Sequence, residues 1–255
     1  MKLLNNDVQT LAAAFTLGAL SIGFAPVATA VSTYDANASF TFTLTGVTRL
    51  TDTQRTDPGP GPGPGPGFWD VTASGSGDVD LYEAGVATAT GSVSVVDPAV
   101  SLGIGSSITQ SSSSSGSATN GIAATDAFTD LDITIENKAN HSLSFSFAYE
   151  GMVDAATVGD ADASARIDML DELGLFDLQA FRDALSGPGG IDMGGGPLSF
   201  SDTFDMIIGP QSSNTISGFV DTYGSATAVP VPAAVWLFGT GLLGLIGVAK
   251  RKQAA

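Results

Sequence analysis

The chain has 255 residues, with 26 acidic and 9 basic side chains, a net charge of −17 and no cysteine. Without cysteine there is no disulfide, no thiolate metal site and no cysteine nucleophile, and a single histidine rules out a histidine metal cluster. So acidic a chain is repelled by nucleic acid and by anionic lipid headgroups, and its stability has to come from an ordinary core, which 43% hydrophobic residues permit.

In chain order, the first segment is residues 1–30. Lys2 precedes an apolar run from Leu11 to Phe24, Pro26 breaks it, and Ala28-Thr29-Ala30 has the small–x–small pattern that a signal peptidase accepts. The run falls short of the roughly 20 residues that span a bilayer. A signal peptide cleaved after Ala30 is expected, with an uncleaved anchor as the rival reading.

Residues 31–228 form the expected body. Ala38 to Thr45 alternates with period two and puts Phe40, Phe42 and Leu44 on one face of a strand. Residues 57–67 alternate proline and glycine, which supports neither ladder nor helix and reads as a long loop. Trp69–Ala73 and Gly77–Leu81 are weaker strand signals, and Ala87 to Val96 alternates small and polar residues. The serine run 110–117 reads as a second loop. Leu131–Asn137 and Leu143–Tyr149 alternate cleanly around an expected hairpin loop at Asn137–His141. Residues 162–187 read as a helical excursion: Ile167, Leu170 and Leu173, then Leu175, Leu178, Phe181 and Leu185, follow three-to-four spacing, with Gly174 dividing them and Gly187-Pro188 as a stop. Leu198–Phe200, Phe204–Ile208 and Thr215–Val220 supply the last strands. Together these elements predict an all-β fold: an antiparallel β-sandwich with one helical insertion, flanked by an N-terminal signal peptide and a single C-terminal transmembrane helix.

Chemistry-bearing patterns are sparse. His141 falls in a turn and no Gly-x-Ser-x-Gly elbow accompanies it, so no catalytic residue is assigned. The pairs Asp78/Asp80, Asp130/Asp132 and Asp160/Asp162 share a strand face. They could hold calcium, but polar-face alternation explains them equally and no Asp-x-Asp-x-Asp-Gly loop is present. No metal and no cofactor is expected. Trp69, Tyr82, Tyr149 and Tyr223 are the aromatics that could face a ligand. The body is read as non-enzymatic. A carbohydrate-binding module and, behind it, a secreted hydrolase with an acid pair in a cleft are the alternatives.

The last segment, 229–255, has three parts. Val229-Pro230-Val231-Pro232-Ala233-Ala234 (229–234) is held extended by its two prolines. Residues 233–249 are uncharged and apolar apart from Thr240, and as a helix they would reach about 25 Å, the short end of a membrane span. Trp236 lies at one interface, and Lys250, Arg251 and Lys252 (250–252) form a basic stop-transfer end on the cytoplasmic side.

This order closely resembles the PEP-CTERM sorting signal, in particular the subclass written Val-Pro-Leu-Pro-Ala, with Val231 where the commoner form has Glu. The resemblance covers only this tail. It implies recognition by an exosortase, a multi-pass membrane enzyme of cysteine-peptidase type, and removal of the tail. It further implies passage through the inner membrane to the cell surface or extracellular matrix of a Gram-negative bacterium. Such systems accompany exopolysaccharide and biofilm production, which makes exopolysaccharide a further partner to consider.

Overall fold

Threonines alternate with Phe40, Phe42 and Leu44, and aromatic or β-branched residues at period two favour a pleated strand with one buried face. In the computed structural model, which describes residues 31–50, 67–186, 196–229, 238 and 241, this stretch is the centre of β1 (Ser32–Arg49). There follow β2 (Trp69–Ser74), β3 (Gly77–Ser94), β4 (Val100–Ser101), β5 (Ser107–Asn137), β6 (Leu143–Val158), β7 (Asp160–Asp171), β8 (Asp177–Ser186), β9 (Leu198–Ile208) and β10 (Ser212–Ala228). Val31–Ala228 is one compact unit. The expected signal peptide with Ala28 and Ala30, the loop 57–67 apart from Gly67, and Pro230, Val231, Pro232, Ala233, Trp236, Lys250, Arg251 and Lys252 lie outside the described residues. Phe238 and Gly241, inside the expected membrane helix, are helical and exposed.

Every strand pairing is antiparallel, in a ten-stranded sheet with the order β8-β7-β10-β5-β1-β6-β9. The sheet curls into a nearly closed, barrel-like form. β5, 31 residues long, organises it. Along one edge it pairs first with β1 (Thr43 opposite Ser107, Ser32 opposite Ala118) and then with β10 (Ala228 opposite Gly121, Ser212 opposite Asn137). Along the other edge it carries β3 and then β2. Where β3 meets it, Val86 lies opposite Asn120 but Ala87 opposite Ala118, so Thr119 is a bulge. The bulge switches which residues point inward. Ile108, Gln110, Ser112 and Ser114 are buried before it, and Ala123, Thr125, Ala127, Thr129 and Leu131 after it. One strand thereby serves both halves of the sheet with its buried face kept inward.

The core is graded along β1. Phe40, Phe42 and Leu44 meet Leu143, Phe145, Phe147 and Met206, and the Phe42 and Phe147 ring centroids are 4.8 Å apart. Towards its start β1 buries Ala36 and Ala38, and the other strands contribute Ala161, Ala163, Ala165 and Ala226 to the same core. Here Tyr34 lies over two bare backbones. A Cβ on Gly224 would come within 2.0 Å of its ring, and one on Gly116 within 2.5 Å. Its hydroxyl is 2.7 Å from the Thr125 hydroxyl.

Three expectations are corrected. The helical excursion 162–187 is instead the hairpin of β7 and β8, with Ala161 opposite Ser186 and Leu170 opposite Asp177. Its buried set alternates as Ala161, Ala163, Ala165, Ile167 and Met169, then Ala180 and Ala184. Alanine marks a buried strand face weakly and favours helix in isolation, while the conspicuous Leu170, Phe181 and Leu185 point outward; pairing with β10 overrides local preference. The serine run 110–117 is not a loop but the middle of β5, between β1 and β3. Small hydroxyl side chains fit there. Ser112 and Ser114 stand opposite Ala38 and Ala36, Ser114 donates to the Thr222 carbonyl at 2.8 Å, and Ser92 and Ser113 pair across strands at 2.8 Å. The segment at Asn137–His141 does not close a hairpin, because β5 and β6 are not partners. It carries the chain from one half of the sheet to the other, as does Gly209–Ser212 between β9 and β10. Buried Asn137 ties the two crossings together, donating to the carbonyls of His141 (2.8 Å), Ile208 (3.0 Å) and Gly209 (2.8 Å) and accepting from the Ala139 amide (2.9 Å).

Candidate functional site: an acidic and aromatic outer face

A pleated sheet that buries one set of alternate residues must display the other. On the half built from β3, β5, β10, β7 and β8, the displayed set is unusual. One cross-strand row reads Asp78, Phe128, Asp221, Arg166, Phe181. The next reads Asp80, Asp126, Tyr223, Ser164, Asp183, and the one after it Tyr82, Ala124, Ser225, Asp162, Leu185. On the other side of the first row lie Asp130, Phe219, Asp168 and Gln179. Strands about 4.8 Å apart make each five-residue row roughly 19 Å wide.

The centre of this face is ordered by contacts between side chains. Phe128 and Phe219 touch across β5 and β10, with ring centroids 5.6 Å apart. The Arg166 guanidinium sits 5.0 Å above the Phe219 ring and makes a 2.6 Å ion pair with Asp168. Arg166 is the one cation in these rows, and they hold aspartates from all five strands. Crowding raises carboxyl pKa values. Burial, then the neighbouring Asp126 charge and a hydrogen bond with it, push Asp221 up to about 6, with Arg166 pulling the other way. Asp162 is raised by burial and by Asp183. Asp221, half-buried beside Asp126, is therefore the carboxyl of this face that holds its proton most firmly.

The four sequence-singled aromatics do not converge. Tyr82 and Tyr223 stand on this outer face and are exposed. Trp69 meets the Phe145 ring edge-on at 6.3 Å, packed against the core. Tyr149 belongs to a cluster with Phe40, Phe176, Phe200 and Phe204; burial and the Asp202 charge raise its phenol pKa. The acid pairs keep the expected geometry, each on one strand face, but Asp130 serves the fold by accepting from the Ser76 amide and hydroxyl. Among the described residues no group of three or more acids or histidines is placed to hold a metal ion. His141 sits in the crossing loop with Nδ1 3.0 Å from the Asn140 side-chain oxygen, and burial and then Arg49 lower its pKa.

Phe128, Phe219 and Arg166 were not singled out from sequence, and Phe181 only as part of the expected helix, although a signal for the first two exists. In Asp126–Asp132 the buried residues are odd-numbered, and Phe128 shares its parity with Asp126, Asp130 and Asp132. Phe219 and Tyr223 likewise share parity with Asp221. A large aromatic on the charged parity of a strand marks a displayed ring. A scan against protein-family models and searches of curated proteins and of solved structures found no match to this chain.

Proposed function

We propose that this is an exported, non-enzymatic surface or matrix protein whose tail is removed by an exosortase. The single observation that carries the reading is the extent of the fold. The compact unit runs Val31–Ala228, so it begins directly after the expected signal-peptidase site at Ala30 and ends directly before the Val229–Ala233 motif. Both expected processing sites would then leave the folded body uncut. β10 carries the last inward alanines, Ala226 and Ala228, and the proline pair follows, where extended backbone suits an enzyme cleft. The body crosses the inner membrane and is released to the surface, in association with exopolysaccharide. We read its barrel-like sheet as a two-layer sandwich. Intact mass spectrometry of protein from the native host tests this: the released form should start at Val31 and lack everything beyond Pro230–Ala233, and a host without the sorting enzyme should retain the tail. Exported protein with an intact C-terminus would overturn it.

One observation favours a second reading, a carbohydrate-binding module. Tyr82, Tyr223, Phe128 and Phe219 share a face with carboxylates, and aromatic rings that stack on sugars beside groups that accept hydroxyl hydrogens are how proteins hold glycans. Affinity electrophoresis in the host's own exopolysaccharide should retard the protein, and a Tyr82→Ala/Tyr223→Ala variant should regain free mobility. Equal mobility with and without the polymer would dismiss this reading.

A further inference from the structure

β3 is an edge strand of 18 residues, and among the described residues it pairs only with β5. Natural sheets guard such edges, because a row of unpaired backbone donors and acceptors recruits another strand. The end strands of the main path, β8 and β9, lean towards each other, with Phe176 just before β8 stacked on Phe204 of β9 at 4.4 Å. On the β3 edge the Glu83 carboxylate accepts from the Ala89 amide at 2.6 Å, and apolar side chains stand exposed on both faces among the acidic and hydroxyl ones. Leu81 stands opposite buried Thr125, so it points inward, yet it is 55% exposed; the core stops one strand short. On the outer side Tyr82 is 58% exposed, and at the bulge Val86 is 62% exposed.

We infer that the β3 edge pairs with β3 of a second copy of this chain, antiparallel, about a twofold axis at Val86. The charge pattern of the strand selects this partner and direction. Asp78, Asp80 and Glu83 all lie in its first half, and Val86–Ser94 contains no charge. Centred on Val86, antiparallel self-pairing sets Asp78 opposite Ser94, Asp80 opposite Ser92, Tyr82 opposite Thr90 and Glu83 opposite Ala89, so no carboxylate meets another. Parallel self-pairing would line the three carboxylates up against their own copies, which is destabilising. The same register sets inward residues opposite inward residues, with Leu81 facing Gly91, beside which Val79 packs. A shift of one residue would turn every apolar side chain to the wrong face. A twofold axis along the sheet normal at the bend also preserves the curvature that β3 and β5 share, so the two sheets continue into one another. The interface is self-complementary and closes at two copies.

The chain has no cysteine, so single introduced cysteines report the register directly. Full-length Val86→Cys, Val79→Cys, Val93→Cys and, as a control on the outer face of β8, Gln179→Cys are each oxidised in detergent and run on non-reducing gels. Tryptophan fluorescence confirms that each is folded. Opposed residues in an antiparallel pair lie within the Cα separation that a disulfide bridges. Val86→Cys should form a covalent dimer at least ten-fold more than Gln179→Cys. Val79→Cys and Val93→Cys should cross-link only when the two are mixed. A dimer of Val86→Cys no greater than the control, cross-linking of Val79→Cys with itself, or a monomeric mass for the released protein by light scattering would each overturn the proposal, and so would growth into open filaments.

Discussion

The two ends of the core fill the same space in opposite ways. Around Phe40, Phe42 and Leu44, large rings interlock, with Phe42 within 6 Å of both Phe147 and Phe204. Around Ala36 and Ala38 the side chains are small, glycine backbones lie against Tyr34, and hydrogen bonds run through the interior: Ser114 and Thr222, Tyr34 and Thr125, and Ser32 to the Thr227 carbonyl at 2.8 Å. The first end gains from apolar area. The second gains from close approach and from hydrogen bonds among its buried hydroxyls, with the Ser112 Oγ, buried and unpaired among the described residues, as an exception. An identical period-two pattern in the sequence therefore covers two kinds of core.

The largest effect should come from emptying the aromatic end. Phe42→Ala leaves a cavity among rings that cannot collapse into it and should cost about 3–5 kcal/mol, measured as the loss of unfolding free energy in urea. At the small end, addition rather than deletion should do the damage. Gly224→Ala drives a methyl into the Tyr34 ring and should cost about 1–3 kcal/mol by the same measurement. If Gly224→Ala were neutral, the distinction between the two ends would fail. Ser114→Ala removes a donor to the Thr222 carbonyl and should cost about 1 kcal/mol, which sharpens how far the small end depends on its hydrogen bonds.

The smallest effect concerns pH and the outer face. Asp221 is held up at about 6, above the ordinary carboxylate value near 3.9, so its folded form favours the bound proton. Its contribution to stability is complete below about pH 4 and is lost as pH rises to about 6. Asp162, raised in the same way, adds to that slope. Asp171 opposes it. Burial pushes its carboxyl up, but hydrogen bonds from the Phe176 amide, Asn214, and the Leu173 and Leu175 amides outweigh this and hold it below its ordinary value, so its stabilisation is lost in acid. Melting temperatures measured from pH 4 to pH 6.5 should decline for the parent, and the decline should be shallower for Asp221→Asn. An equal slope in both would remove the Asp126–Asp221 pair from the account.

Several features were open to reading from residue order alone. Phe40, Phe42 and Leu44 on a buried face, the strands at 131–137 and 143–149, and the acid pairs on shared strand faces all follow from period two, because a pleat leaves side chains no other choice. The β7–β8 hairpin was hidden since its buried face is alanine and its exposed face carries leucine and phenylalanine. The middle of β5 was hidden since serine signals a loop unless neighbours satisfy its hydroxyls. Half of the displayed aromatic face was visible as Tyr82 and Tyr223. Its centre was not, because Phe128, Phe219 and Arg166 lie far apart in the chain.

Residue order by itself determined that the protein is a β body without cysteine chemistry, strongly acidic, between two apolar ends. Composition and period are local properties, and they need no partner strand to be read. Only the tertiary structure decided which strands are neighbours, that one bulged strand serves both halves of the sheet, and that aspartates and rings from five strands meet on one face. Those outcomes rest on contacts between residues up to about two hundred positions apart, such as Ser32 and Thr227, and no local pattern encodes which distant strand will satisfy an open edge.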